Sequence, residues 1–473
     1  MRINLTLTLL LLISAILPGF AQECLPGTTE FTSQSQIDSF PILYPECTRI
    51  VGKVIIMEAE DDSITDLSPF LQVTSIGERL EIIKNPKLES LHGLENLDTI
   101  DNDLFIAFNL KLTDLHGLNH LRGVGGNIGI SFNNILSSLD GINQLNTIGK
   151  NLTLFSNKKL ESLDALGSLH SIGQGLQIER CDNLIHLNGL EALKFLGSTL
   201  SISHNAKLTS PSGLDSLTGI PGPVSIVDNP ALTSLTGMDQ LDSIGSSLRI
   251  DRNSSLSDLS GLNNLKKIGT YLQIQNDSML TSLNGLDNLT SIGGNLLIDF
   301  NPLLTDLSAL SGLTTLNGNI LDITENISLT TLWGLENIDP ASISKLNLRS
   351  SENLSYCELP NICSYLDDPT NPAEIFLNAD NCTSRKKIED ACALVDVNVP
   401  DPGPDWTLFP NPVLDVLTVQ TWRPVHLVLF NVMGQPVRSI PLEAGTNLVP
   451  MNEQPPGMYI LHGNGVSHRL IIQ

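Results

Sequence analysis

The sequence predicts a mainly β chain: a right-handed parallel solenoid of 24-residue coils with disulfide-pinned caps, then a small C-terminal β-sandwich. Three observations predict it. A short apolar strand pattern recurs at a fixed step. A buried-type asparagine follows nearly every copy. Near Ala393 the period stops, and a Pro-rich stretch and closely spaced strand runs take its place.

The strand pattern starts at Ile56, Leu80, Leu104, Ile128, Leu152, Leu176, Leu200, Val224, Leu248, Leu272, Leu296 and Ile320, each step 24 residues. So regular a period over so many copies marks a stacked repeat. In the coil that opens at Leu104, Leu104 and Ile106 share one strand face, because side chains alternate along a strand. Asn109 follows, in a column with Asn85, Asn133, Asn157, Asn205, Asn229, Asn253 and Asn301, interrupted by Cys181 and Asp277. An amide there can bond the bend of its own coil and the next, satisfying buried backbone groups. Leu112, Leu115, Leu118, Leu121 and Val124 then come every third residue. That spacing suits short extended or 3₁₀-like sides. Gly117 stands for a glycine column. The residue before that glycine, such as Ser68, Asp140, Ser212 or Ser260, is expected to cap a single helical turn. One extra residue before Asn326 calls for a bulge.

The ends read differently. Residues 1–21 hold Arg2, an apolar run from Leu9 to Leu17, and Gly19-Phe20-Ala21. This is the plan of a secretory signal peptide, too short for a comfortable membrane span. Residues 22–55 form an N-terminal cap, with Ile37, Phe40 and Tyr44 at helical spacing and Cys24 and Cys47 flanking the first coil. The solenoid is expected over 56–344 and a C-terminal cap over 345–392. In that cap Lys345–Arg349 is a closing strand, and Cys357, Cys363, Cys382 and Cys392 form two bonds among three possible pairings. Exported chains keep disulfides, and solenoids must cover their open ends. Cys181 is left as a buried small side chain. Residues 393–405, with Pro400-Asp401-Pro402-Gly403-Pro404, form a linker. Strand runs follow at Val416–Val419, His426–Asn431, Met458–His462 and Arg469–Ile472.

Two resemblances stand on these residues. The pattern G-N-L-x-I-x-x-N-x-x-L-x-S-L-x-G-L-x-N-L-x-S-I, over residues 24–392, resembles the leucine-rich, L-domain-like repeats of receptor ectodomains and secreted bacterial surface proteins. Residues 406–473 resemble the C-terminal sorting domain of the type IX secretion system of Gram-negative bacteria. That likeness rests on Pro410-Asn411-Pro412, Gly434-Gln435, Gly457-Met458-Tyr459 and Arg469-Leu470-Ile471-Ile472, with Arg469 where that family usually has Lys. It implies contact with the type IX machinery, passage through the periplasm to the outer surface, and membrane attachment only by anchoring after export.

Lys and Arg number 26 against 51 Asp and Glu, a net charge of −25. Such a surface argues against nucleic acid and anionic lipid. No catalytic triad order, metal-binding H-E-x-x-H, phosphate loop or dinucleotide fingerprint appears, so neither cofactor nor resident metal is expected. His92, His116, Asp140 and Asp164 share a column and read as turn caps in preference to zinc ligands. The outward sheet positions carry Phe105, Phe108, Phe132 and Phe155, then Arg180, Arg249, Asp251, Arg252 and Asp299. Exposed aromatics beside charges are how binding faces look. The leading expectation is a non-enzymatic binding or adhesion protein that recognises a protein or glycan. The alternative is an exported glycan-active enzyme with a binding solenoid. It is disfavoured because cap, solenoid and sorting segments use the whole chain.

Overall fold

The computed structural model describes residues 22–59, 63–395, 406–409, 413–421, 424–431, 435–452, 454–463 and 466–472. The signal segment 1–21, residues 396–405 of the linker, Pro410, Asn411, Pro412 and Gly434 lie outside them. The chain divides into two compact units, 1–392 and 393–473.

The first unit is a parallel β-solenoid. Among the described residues its main sheet has 15 strands in chain order, and a second edge of two-residue strands forms sheets of eight and four. Leu104–Ala107, Ile128–Ser131 and Leu152–Phe155 pair in parallel with a register of one coil per strand. Between strands the chain turns at every third residue: Leu112, Leu118 and Leu121 donate their N–H groups to Asn109, Leu115 and Leu118 carbonyls at 3.2, 3.1 and 3.0 Å. This explains the apolar triplet spacing, since each turn returns one side chain to the axis. Leu112, Leu115, Leu118 and Leu121 are all fully buried. Each such side chain contributes roughly 1.5–3 kcal/mol of transfer free energy.

The asparagine column is a hydrogen-bonded ladder that reaches back to the preceding coil. Asn133 Oδ1 accepts from Asn109 N–H at 3.0 Å, and its Nδ2 donates to the Ile106 carbonyl at 2.9 Å. The same pair of bonds joins Asn205 to Cys181 and Ile178, and Asn229 to Asn205 and Ile202. Of the two bonds expected, to the asparagine's own coil and to the next, the own-coil one is present at some rungs, as Asn229 Nδ2 to the Val227 carbonyl at 3.2 Å, but the bonds between coils run to the coil before. The ladder also continues through Ser351 and Asn378, which the 24-residue step does not reach: Asn326 N–H donates to Ser351 Oγ, and Ser351 N–H to Asn378 Oδ1.

The glycine column has a steric cause. Gly117 has φ +117°, and a Cβ there would lie 2.1 Å from the Leu91 carbonyl oxygen of the preceding coil. Where Pro69, Ala165 or Ala309 replaces glycine, the turn tightens into a 3₁₀ helix instead: Ser68–Phe70, Asp164–Leu166 and Ser308–Leu310. The expected cap residues are not the acceptors. The acceptor is two residues earlier: Ser68 N–H donates to Asp66 Oδ1, Asp140 N–H to Ser138 Oγ and Ser260 N–H to Asp258 Oδ1. Asp, Ser or Thr at that earlier position forms a local side-chain turn.

Four boundaries differ from expectation. The first coil aligns Val54, not Ile56, with Leu80, because it is two residues longer. Leu321, not Ile320, aligns with Leu296, and the expected bulge lies between Asn319 and Ile320. Lys345–Arg349 belongs to the strand Ile343–Arg349, but it does not close the sheet: Ala373–Phe376 pairs beyond it. At the other end Thr29–Phe31 pairs before Val54–Ile56. The second edge breaks between Phe195–Leu196 and Gly219–Ile220. There Pro221 replaces the residue whose N–H elsewhere joins the coils, as Gly197 does to Ile172 and Gly245 to Ile220. Proline has no such donor.

Each cap closes an apolar end. The helix Gln34–Leu43 buries Ile37 and Phe40, and Phe31, Phe40 and Phe70 pack with ring centroids 4.9 Å apart in two of their pairs. Cys24 is bonded to Cys47. At the far end the helices Pro360–Leu366 and Arg385–Val395 are tied by Cys363–Cys392, and Cys357–Cys382 joins the segments that lead into them. The second helix thus runs three residues into the expected linker. In the second unit, two antiparallel sheets of three and four described strands enclose Trp406, Leu417, Leu427, Leu429 and Leu461. Trp406–Phe409, Pro436–Leu442 and Gly445–Pro450 are strands that the sequence reading did not separate.

Candidate functional site

The outward face of the main sheet carries two columns of side chains per strand and a third just beyond it. The third column is conformationally unusual. The residue before each ladder position is left-handed, with φ +58° at Phe108, +56° at Phe132, +54° at Arg180 and +57° at Arg252. Left-handed backbone costs a non-glycine residue roughly 1–2 kcal/mol, and the ladder bonds of the next residue hold it there. The consequence is that these side chains turn off the sheet's edge as a row.

Phe108 and Phe132 occupy that row and stack, ring centroids 4.6 Å apart and 9° from parallel. Phe155, the last residue of its strand, meets Phe132 edge to face at 5.0 Å. The Arg180 guanidinium lies 5.9 Å from the Phe155 ring centre, within cation–π range. Phe108 remains 43% exposed. These four expected residues form one aromatic shelf. Phe105 stands apart in the first outward column, its ring under the Arg79 guanidinium at 5.0 Å.

Three of the charged candidates, Arg249, Asp251 and Arg252, gather elsewhere. Asp251 is fully buried and holds Arg249 Nη2 at 2.5 Å and Arg252 Nη1 at 3.3 Å. Arg252 Nε also meets Asp228 at 2.9 Å. Asp251 is therefore a structural carboxylate and not the exposed ligand contact expected of it. Its two arginines neutralise it, as a buried charge requires. Asp299 is partly buried, and its Oδ1 finds no hydrogen-bond donor. Burial first, then the neighbouring Asp322 carboxylate, push its carboxyl up to about 7.

A second, shorter ladder runs along the strand entrances. Asp103 Oδ1 accepts from Asn127 N–H and Nδ2, both at 2.8 Å; Asn127 Oδ1 accepts Asn151 Nδ2 at 2.8 Å; Asn151 Oδ1 accepts Gly175 N–H at 2.8 Å. Burial alone would raise the Asp103 carboxyl. The Asn127 donors and the Arg79 guanidinium outweigh it and hold the carboxyl below its usual range. Beside this ladder lies a trough that the sequence reading missed. The signal was available: the outward column reads Phe105, Gly129, Thr153, Gln177, Ser201, Ser225, a run without charge.

His92 pairs with Glu95 and His116 with Asp114 at 2.9 Å, so the two imidazoles face different carboxylates. Thr209, Thr233, Thr281 and Thr305 share one column and bond coil to coil: Thr209 Oγ1 donates to the Ile185 carbonyl at 3.0 Å and Thr281 Oγ1 to the Ser257 carbonyl at 3.2 Å. Cys181 fills its ladder place as a buried thiol, and burial pushes it up to about 12.

In the second unit Gly457 opens the strand Gly457–Gly463, Tyr459 donates its hydroxyl proton to the Pro455 carbonyl at 2.9 Å, and Arg469 stands opposite Ile460. Fold and faces together define a capped parallel β-solenoid followed by a separate antiparallel β unit. Residues 407–473 match the family model described as the secretion system C-terminal sorting domain. This tail marks the chain for export by the type IX machinery, to the cell surface or beyond it. No curated protein matches the chain.

Proposed function

We propose that this chain is a non-enzymatic binding or adhesion protein of the L-domain-like leucine-rich class, working at the outer surface of a Gram-negative bacterium. A signal peptide takes it to the periplasm. The sorting tail takes it across the outer membrane, after which it is released or anchored. The solenoid recognises a protein or glycan through the exposed face of its main sheet.

The observation that carries this reading is the aromatic shelf of Phe108, Phe132 and Phe155 with Arg180 beside it. Rings of this size left partly exposed on consecutive coils gain free energy when something covers them. They are also rigid, so little side-chain entropy is lost when a ligand lands on them. The test compares wild type with Phe108→Ala/Phe132→Ala on arrays of surface proteins and glycans. Loss of at least tenfold in affinity for the captured ligand, with unchanged melting temperature, supports the reading. Equal binding by both chains contradicts it.

A further inference from the structure

A trough of ≈ 590 Å³ crosses the main sheet from Phe105 to Ser201. Its polar lining comes from Asn127, Asn151, Thr153, Gln177, Thr199 and Ser201, and none of its lining residues ionises. In a chain of net charge −25 this neutral window is a distinct feature. It is bracketed by charge: in the strand register Glu81 precedes Phe105, and Arg249 follows Ser225. The trough spans five strands, on the order of 19 Å at the usual strand spacing.

The lining is held in place before any ligand arrives. The Asn127 and Asn151 amides are fixed by the entrance ladder. Gln177 Nε2 donates to Glu179 Oε2 at 3.0 Å, which orients the amide and engages the nearest carboxylate on its strand. The Phe105 ring lies over Gly129, where a Cβ would come within 2.6 Å of it. Glycine there lets the ring lie flat as the end wall.

We propose that this trough is a binding subsite for an uncharged oligosaccharide, with Phe105 as its apolar end wall and the sugar hydroxyls on the amides and hydroxyls of Asn127, Asn151, Thr153, Gln177 and Ser201. The proposal rests on the reading of the sheet as a binding face and names its ligand class. The chemistry excludes the alternatives. An anion would need a cation in the lining, and a cation would need a carboxylate. An apolar ligand would cover the Thr153 and Ser201 hydroxyls without giving them partners. A peptide strand needs a free sheet edge, and the trough lies in the interior of the sheet. Sugars combine flat apolar faces with dense hydroxyl donors and acceptors, which is what Phe, Asn, Gln and Thr side chains complement.

The experiment is calorimetry on the full-length chain with neutral malto-, cello-, xylo- and manno-hexaose, and with oligogalacturonate and sialyllactose as charged controls. Three variants are compared: Gly129→Ala, which tilts the Phe105 ring without touching the core; Gln177→Ala; and Phe300→Ala as a distant control. The expected result is binding of at least one neutral series, weakened tenfold or more in the first two variants and unchanged in the third. Binding of no neutral series, or neutral binding equal in all variants, overturns the trough assignment. Should a protein or charged glycan bind in a Phe108- and Phe132-dependent way while the neutral series does not, the trough assignment fails and the binding-face reading stands.

Discussion

The backbone N–H of Asn253 donates to Asp277 Oδ1 at 2.7 Å, the shortest such rung of the ladder among the described residues. Asp277 is the place where a carboxyl replaces the amide. Its Oδ1 serves both Asn253 N–H and Asn253 Nδ2, but its Oδ2 is buried with no donor. In the neighbouring coils an Nδ2 at that place donates to a strand carbonyl, as Asn253 does to Ile226 and Asn301 to Ile274, both at 3.0 Å.

Asp277→Asn is therefore expected to stabilise the solenoid at neutral pH. The new Nδ2 gains the Ile250 carbonyl, and an unpaired buried oxygen disappears, together about 1–3 kcal/mol. Burial pushes the Asp277 carboxyl up to about 7. A carboxyl raised on folding binds its proton more tightly in the folded chain. Its contribution to stability is thus greatest below the unfolded value of 3.8, declines as pH rises through about 7, and then levels off. The difference in urea midpoint between Asp277→Asn and wild type should grow from pH 4 to pH 7. A difference that is flat with pH would contradict a protonated Asp277.

Asn157→Leu should destabilise more than Lys158→Ala. Asn157 is buried, and its Nδ2 donates to Ile130 at 2.7 Å while its Oδ1 accepts from Asn133 N–H at 3.2 Å. Removing it leaves two buried groups unpaired, roughly 1–3 kcal/mol each. Lys158 is exposed, so its loss should stay within about 0.5 kcal/mol. Equal urea midpoints for the two variants would count against the ladder.

Two glycines of one coil, Gly117 and Gly123, should respond differently to alanine. Gly117→Ala places a methyl 2.1 Å from the Leu91 carbonyl oxygen in left-handed backbone, and should cost more than about 2 kcal/mol. Gly123→Ala meets only Thr147 Oγ1 at 3.5 Å and should be nearly neutral. Thermal denaturation of both variants decides it; similar melting temperatures would show that the coils do not approach so closely.

Thiol titration should find no reactive cysteine in the native chain and one after denaturation without reductant. Six cysteines are paired and Cys181 is buried. Peptide mapping should join Cys357 to Cys382 and Cys363 to Cys392. Four or more free thiols, or Cys357 joined to Cys363, would contradict the C-terminal cap.

Much of the solenoid was legible because its columns have single physical solutions. The Asn133 amide carries both the donor and the acceptor that the Asn109–Asn133 rung needs, and a Cβ at Gly117 would clash with the Leu91 carbonyl. The left-handed row was invisible, since Lys84, Phe108, Ser156, Arg180 and Asp228 share a backbone conformation and no chemistry. The burial of Asp251 was equally hidden, because its two arginines come from the strand and the bend of its own coil. Asn378 escaped because the cap lengthens the step between rungs. The face candidates separated for a related reason: period alone places Phe105 and Phe108 on one coil, but the left-handed turn sends them to different columns.

The capped solenoid is expected to fold without the tail, and the tail to carry it outside. The decisive measurement is export of the chain with and without 407–473 in a type IX-competent host, followed by fractionation. The full chain should reach the surface or the medium. The truncated chain should stay in the periplasm yet resist proteolysis, since its own cap, tied by Cys357–Cys382 and Cys363–Cys392, covers the last coil. A truncated chain that still reaches the surface would contradict the sorting role, and one that is degraded would contradict an independently capped solenoid.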